Sequence, residues 1–195
     1  KYENSRANRG GPNEGCTTTP ITPITNSEST VDRAISSMQA SGATNIPNGI
    51  GWGVRVLSPS EPFTGGTAFD DRSIIKAMVI LTDGENYYRG GRHYYSSAYS
   101  AYGYSFFGRL GTRSGSSRRL ASELNARTEA ACDYAKSLGI RVYTITFQVN
   151  SSTTRALMED CATNPTLYFD SPSSSALRDA FEMIAGDLSN LRLSR

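Results

Sequence analysis

Apolar side chains recur along this chain in two periods, and the switches between them outline its elements. Ala77–Leu81 (AMVIL) is an uninterrupted apolar run closed by Thr82-Asp83-Gly84, and Ile140–Val149 (IRVYTITFQV) predicts a second strong strand. An apolar run such as Ala77–Leu81 predicts a strand covered on both faces, as in a parallel sheet. Thr166–Phe169 predicts a third, shorter strand. Between them the spacing becomes helical. Val31, Ala34, Ile35 and Met38 fall at i, i+3, i+4 and i+7 behind a cap at Thr30, with Gly42 as the stop. Pro47 suits a first helical turn, and Ile50–Leu57 predicts a short buried helix despite Gly51 and Gly53. Leu120, Leu124, Ala131, Ala135 and Leu138 mark a long helix stopped by Gly139, and Leu157, Met158 and Cys161 a helix capped by Ser151 or Ser152. Leu177, Phe181, Ile184, Leu188 and Leu191 put a final stripe on a helix from about Ser174. Thr17–Thr25 (TTTPITPIT) is β-branched, but Pro20 and Pro23 reduce it to an edge strand or an extended connection. Ser58–Ser73 reads as loop.

Helices alternating with strands predict an α/β fold with a doubly wound, mainly parallel, Rossmann-like sheet. A length of 195 residues suits one domain, and no apolar run approaches a membrane span. Residues 1–15 read as a polar tail or loop and carry nothing like a signal peptide.

Charge changes the picture once it is located. The formal net charge is +2, yet Tyr87–Arg119 holds six arginines and no acidic residue. The rest of the chain has 14 basic against 18 acidic residues, a body of −4 carrying an arm of +6. The arm also holds seven of the eleven tyrosines and is rich in Gly and Ser. Arg89, Arg92, Tyr94, Tyr95, Arg109 and Arg113 are its candidate contacts for an anionic polymer or glycan, through guanidinium pairing and ring stacking. Weighed against that is a flexible surface insertion too rich in Gly and Ser to pack. No nucleic-acid motif surrounds it, so no specific nucleic acid is expected.

Catalytic arrangements are missing. The single histidine, His93, lies in the arm, leaving a Ser-His-Asp relay without a base. G-x-S-x-G and Walker A loops are absent, and the expectation is that the chain is not an enzyme. Three cysteines (Cys16, Cys132, Cys161) without a C-x-x-C give one pair and a leftover, compatible with either redox compartment.

Ligands of open parallel sheets gather at the carboxyl ends of the strands. Thr82-Asp83-Gly84-Glu85-Asn86 falls in that layer, and so does Ala43-Thr44-Asn45 before a helix. A carboxylate plus a hydroxyl suits Mg²⁺ or Ca²⁺, although Asp-Gly is also a common turn and Thr a common cap.

These two loops carry a resemblance. Gly42-Ala43-Thr44-Asn45-Ile46 followed by Met78-Val79-Ile80-Leu81-Thr82-Asp83-Gly84-Glu85-Asn86 resembles a von Willebrand factor A domain. With ATNIPNGIGWGVRVLSPSEPF, ACDYAKSLGIRVYTITF and AFEMIAGDLSNLRLSR, the chain is similar to TadG-like proteins of tight-adherence (Flp) pilus assembly over residues 16–195, the 87–119 insert excepted. The resemblance implies a metal-ion-dependent adhesion site in which Thr44 and Asp83 match two of three ligand loops. The third, Asp-x-Ser-x-Ser, is absent; Asp170-Ser171-Pro172-Ser173-Ser174 has Pro where Ser is required. Family order puts that loop upstream of Lys1, so the chain is expected to be the C-terminal part of a longer protein, lacking the first strand or strands. Mg²⁺ or Ca²⁺ is then expected in the full-length protein and not in this fragment. The resemblance further implies a Cys132–Cys161 disulfide, the alternative being two buried free thiols. It leaves Cys16 to a partner upstream. Implied too are pilus-assembly proteins or pilin as partners, an upstream membrane anchor, and a location in the periplasm or envelope at the inner membrane. An inert structural pilus component is the competing reading.

Overall fold

The computed structural model describes residues 19–40, 42–91 and 95–193. Cys16, Arg92, His93 and Tyr94 lie outside the described residues, so their proposed roles are not placed. The chain forms two compact units, one of Lys1–Ala68 with Asn86–Ala126, the other of Phe69–Glu85 with Arg127–Arg195.

The second unit is built on a three-stranded parallel sheet of β1 (Ala77–Thr82), β2 (Arg141–Phe147) and β3 (Tyr168–Ser171), in that spatial order. The class is α/β, with helices on both faces. Side chains alternate across a strand, so Tyr143 and Ile145 leave one face of β2 and Thr144 the other. Tyr143 and Ile145 pack with Ala180 and Ile184 of α5 (Ser174–Leu193). On the other face, Thr144 Oγ1 donates to the carbonyl of Met158 (2.7 Å) in α4 (Ser152–Cys161). Val142 to Thr146 are consequently buried throughout.

β1 departs from the expectation of a strand covered on both faces. Val79 and Leu81, level with Tyr143 and Ile145 in the register, are 39% and 44% exposed. The helix on that face, α5, packs over β3 and β2, while β1 stands at the sheet's edge. The third strand also starts later than predicted. Asn164 accepts from Thr166 N (3.0 Å) and folds Pro165–Leu167 into a 3₁₀ turn before β3 begins.

Polar contacts fasten α5. Asp187 accepts from Tyr143 Oη (2.5 Å) and from Arg141 Nη2 (2.8 Å), and Arg141 Nε donates to Tyr143 Oη (2.9 Å). The tyrosine hydrogen bond, opposed by desolvation and aided by Arg141, holds the Asp187 carboxyl below its ordinary 3.8. A depressed carboxyl pKa stabilises the fold only while ionised, so the contribution is complete above about pH 4 and fades as pH falls through the folded value. With both side chains about a third exposed, the effect is held to about 1 kcal/mol by solvent screening. Asp187→Asn should therefore lower the urea midpoint modestly at neutral pH and converge with the parent as pH falls below about 4 and the carboxyl protonates. A gap that stays constant across that range would contradict the assignment.

Cys132, in the second half of α3 (Ser117–Ser137), is bonded to Cys161 at the end of α4, with Cα atoms 5.2 Å apart.

In the first unit, residues 19–25 are not a strand: they form an irregular connection, as two prolines dictate. The helix that follows, α1 (Glu28–Ser36), starts with Ser27 rather than Thr30 at its cap, and Thr30 Oγ1 instead donates to Ser27 Oγ (2.9 Å). The helix ends at Ser36, well before Gly42, so Met38 lies beyond it, and Val31 and Ile35 of its stripe are exposed. The next helix, α2 (Ile46–Leu57), begins where Asn45 Oδ1 accepts from Asn48 N (3.3 Å), with Pro47 in the first turn. It buries Ile46, Pro47, Ile50 and Val54 along one side.

The arginine-rich insert does not fit the alternative of a loose loop. Tyr88 and Leu110 are buried against Leu120 and Leu124 of α3. Tyr88 Oη donates to the Gly103 carbonyl (2.6 Å), and Ser105 N donates to Ser97 Oγ (2.8 Å). Gly90 is required where the ends of the insert meet, because a Cβ there would stand 2.1 Å from the Gly115 carbonyl oxygen. Gly and Ser here allow close backbone approach and internal hydrogen bonding, a packing role that composition does not reveal.

Candidate functional site

Two loops hold the residues that the sequence singles out, one in each unit. In the second unit, β1 runs straight into a tight turn. Thr82 Oγ1 donates to the Gly84 carbonyl (2.8 Å) and accepts from Gly84 N (3.3 Å), so the threonine hydroxyl is consumed in closing the turn. Asp83 and Glu85 remain exposed. Thr146 is level with Thr82 and with Asp170 in the parallel register, so the three form a row across the strand ends. Thr146 Oγ1 donates to Asp170 Oδ1 (3.0 Å) and shares a hydrogen bond with Tyr168 Oη (3.0 Å). Asp170 Oδ2 lies 3.9 Å from Arg155 Nη1. Burial, the largest influence, pushes the Tyr168 hydroxyl upward in pKa and keeps it neutral.

The first unit holds Thr44. Its carbonyl accepts from Tyr87 N (2.9 Å), and the residue is half-buried. Beside it Asn86, buried at 4% exposure, has a role that sequence reading missed. Asn86 Oδ1 accepts from Ile46 N (2.9 Å) and Nδ2 donates to Asn125 Oδ1 (3.0 Å). This amide therefore satisfies an otherwise orphaned donor at the start of α2 and ties that start to α3. The available signal was position alone: a polar side chain directly after a strand-end turn.

The donor set is poor for a divalent ion. The Thr82 hydroxyl is engaged, and Asp170 already serves Thr146 and Arg155. Among the described residues no group of three or more His, Cys, Asp or Glu side chains could hold a metal. Mg²⁺ and Ca²⁺ take six or more oxygen ligands, several of which water can supply, but with Thr82 and Asp170 already engaged the described residues do not fit the implied ion.

The candidate polymer-binding residues lie in the first unit. Arg89, Arg109 and Arg113 are exposed and Tyr95 is half-buried. Tyr95 stacks on Tyr104, with ring centroids 4.7 Å apart and planes at 27°. Phe106 and Phe107, which the sequence does not single out, are the most exposed rings among the described residues of the insert.

No family model matches the chain, and no curated protein matches it. Among solved structures, the fold is similar to that of the pilus adhesin SpaC from Lactobacillus rhamnosus GG. The TM-score is 0.53 at 18% identity, over 82% of this chain and 20% of the adhesin. A second similarity is to proximal thread matrix protein 1 from the mussel byssus, with a TM-score of 0.46 at 16% identity, over 81% of this chain and 28% of that one. The chain thus spans about a fifth of the adhesin and just over a quarter of the byssus protein. At such identities what is shared with the adhesin is the α/β fold.

Proposed function

We propose that this chain is a non-catalytic binding and assembly module of a bacterial surface pilus system, of the von Willebrand factor A type and TadG-like in kind. The observation that carries the reading is the fold similarity to a pilus adhesin over 82% of the chain. Two further features support it. Asp83 and Glu85 stay exposed at the carboxyl end of β1, where parallel sheets present their ligand-contacting loops. The Cys132–Cys161 disulfide suits an oxidising compartment, in keeping with the periplasm or envelope. Partners would be other pilus-assembly proteins or pilin, contacted by the loop of Asp83 and by that of Thr44. Any metal would enter only with ligands supplied from outside this chain.

Asp83→Ala in the full protein, expressed in pilus-bearing cells, tests the reading. Because Asp83 is exposed, stability should change by less than about 0.5 kcal/mol. Assembled pili counted by electron microscopy should fall severalfold. A normal pilus number would favour an inert structural component instead.

A further inference from the structure

The arginine-rich insert holds a surface that the strand-end loops do not explain. A 3₁₀ turn at Ser105–Phe107, ended by Gly108 at φ 69°, carries Phe106 and Phe107, which are 51% and 52% exposed. The two rings meet edge-on, with centroids 5.5 Å apart and planes at 82°. Behind them Tyr95 lies against both Tyr104 (4.7 Å) and Phe107 (5.9 Å, planes at 26°), so the rings brace one another. Arg109 Cζ is 6.0 Å from the Phe107 centroid, and a Cβ on Gly108 would stand 3.3 Å from Arg113 Cγ. Arg109 therefore lies beside the Phe107 ring, and Arg113 beside Gly108, the residue that follows it.

Charge says what such a face would take. Arg89, Arg109, Arg113 and Arg118 are all exposed, and among the described residues none of them has a carboxylate partner. Residues 87–119 contain no acidic side chain. Guanidinium forks match carboxylates bidentately, and aromatic faces accept the apolar C–H face of a pyranose.

We propose that this face binds an anionic polysaccharide of uronic-acid pyranoses, with sugar rings stacked on Phe106 and Phe107 and their carboxylates paired to Arg109 and Arg113. Single-stranded nucleic acid fits less well. Successive bases stack on platforms arranged along a strand, whereas the two offered rings stand nearly perpendicular. Glycan units, by contrast, turn about each linkage. The disulfide also argues for a location outside the cytosol. The inference rests on the surface-module reading for that location and names a partner for it.

Calorimetric titration with alginate, neutral dextran and oligothymidylate, at low and physiological salt, tests it. Alginate should bind, more weakly as salt rises, and dextran should not. Joint replacement Phe106→Ala with Phe107→Ala should weaken alginate binding about tenfold or more, the loss expected for about 1.4 kcal/mol of stacking. Arg109→Gln with Arg113→Gln should weaken it similarly and flatten the salt dependence. No alginate binding, binding indifferent to both pairs, or tighter binding of oligothymidylate would each overturn the proposal. None of those results alters the pilus count expected of Asp83→Ala, so the two readings fail separately.

Discussion

Truncation of Leu110 to alanine should destabilise the protein by about 3 kcal/mol, a large loss for a residue inside a Gly- and Ser-rich insert. The side chain is 1% exposed and packs with Tyr88, Leu120 and Leu124, which are equally shut from water. Removing three buried carbons forfeits their transfer free energy and leaves a cavity that close-packed neighbours refill only in part. Because this cluster anchors the insert to the first half of α3, the same variant should become more sensitive to limited proteolysis within residues 95–113. Leu110→Met, which conserves volume, should cost less than about 1.5 kcal/mol and keep that protection. Chemical denaturation of the three proteins decides the matter. A loss for Leu110→Ala below about 0.5 kcal/mol would mean that the insert is not packed in solution.

Opening the Cys132–Cys161 bond should have an effect of similar size on the second unit. The bond closes a loop of 29 residues that contains β2 and α4. On the chain-entropy account, a loop of that length removes about 3.5 kcal/mol of conformational freedom from the unfolded state. Joint replacement Cys132→Ser with Cys161→Ser should therefore lower the melting temperature by about 10 °C. Reductant should lower that of the parent by a comparable amount and leave the double variant unmoved. A parent whose melting point ignores reductant would show that the bond does not constrain the unfolded chain.

Legibility in the sequence varied with the range of the interaction concerned. The run IRVYTITFQV identifies β2 to within two residues at its carboxyl end, because β-branched and aromatic residues dominate it. Thr144 and Thr146 within it gave no hint of their partners, the Met158 carbonyl and Asp170, 14 and 24 positions away. The first helix was recognised from its stripe, yet that stripe is exposed. Period reports which side chains share a face and not what covers it. Asp83 and Thr44 were legible as strand-end and pre-helix residues, and as matches to a family motif. Asn86 was passed over because its function lies in bonds to Ile46 and Asn125, 40 and 39 positions away. The cysteine pairing came through the family resemblance, since three thiols permit several pairings and their spacing chooses none.

The insert shows the same division. Its charge of +6 and its seven tyrosines are properties of composition and needed no structure. The α/β class was readable as well, because helical and extended periods are set by backbone geometry within a few residues. Folding settled the rest: that Tyr88 and Leu110 find Leu120 and Leu124, that Phe106 and Phe107 stay at the surface beside Arg109 and Arg113, and that β1 stands at the sheet's edge. Each of these outcomes depends on contacts closed over many residues, where loop entropy is weighed against burial. A local pattern keeps no record of that balance.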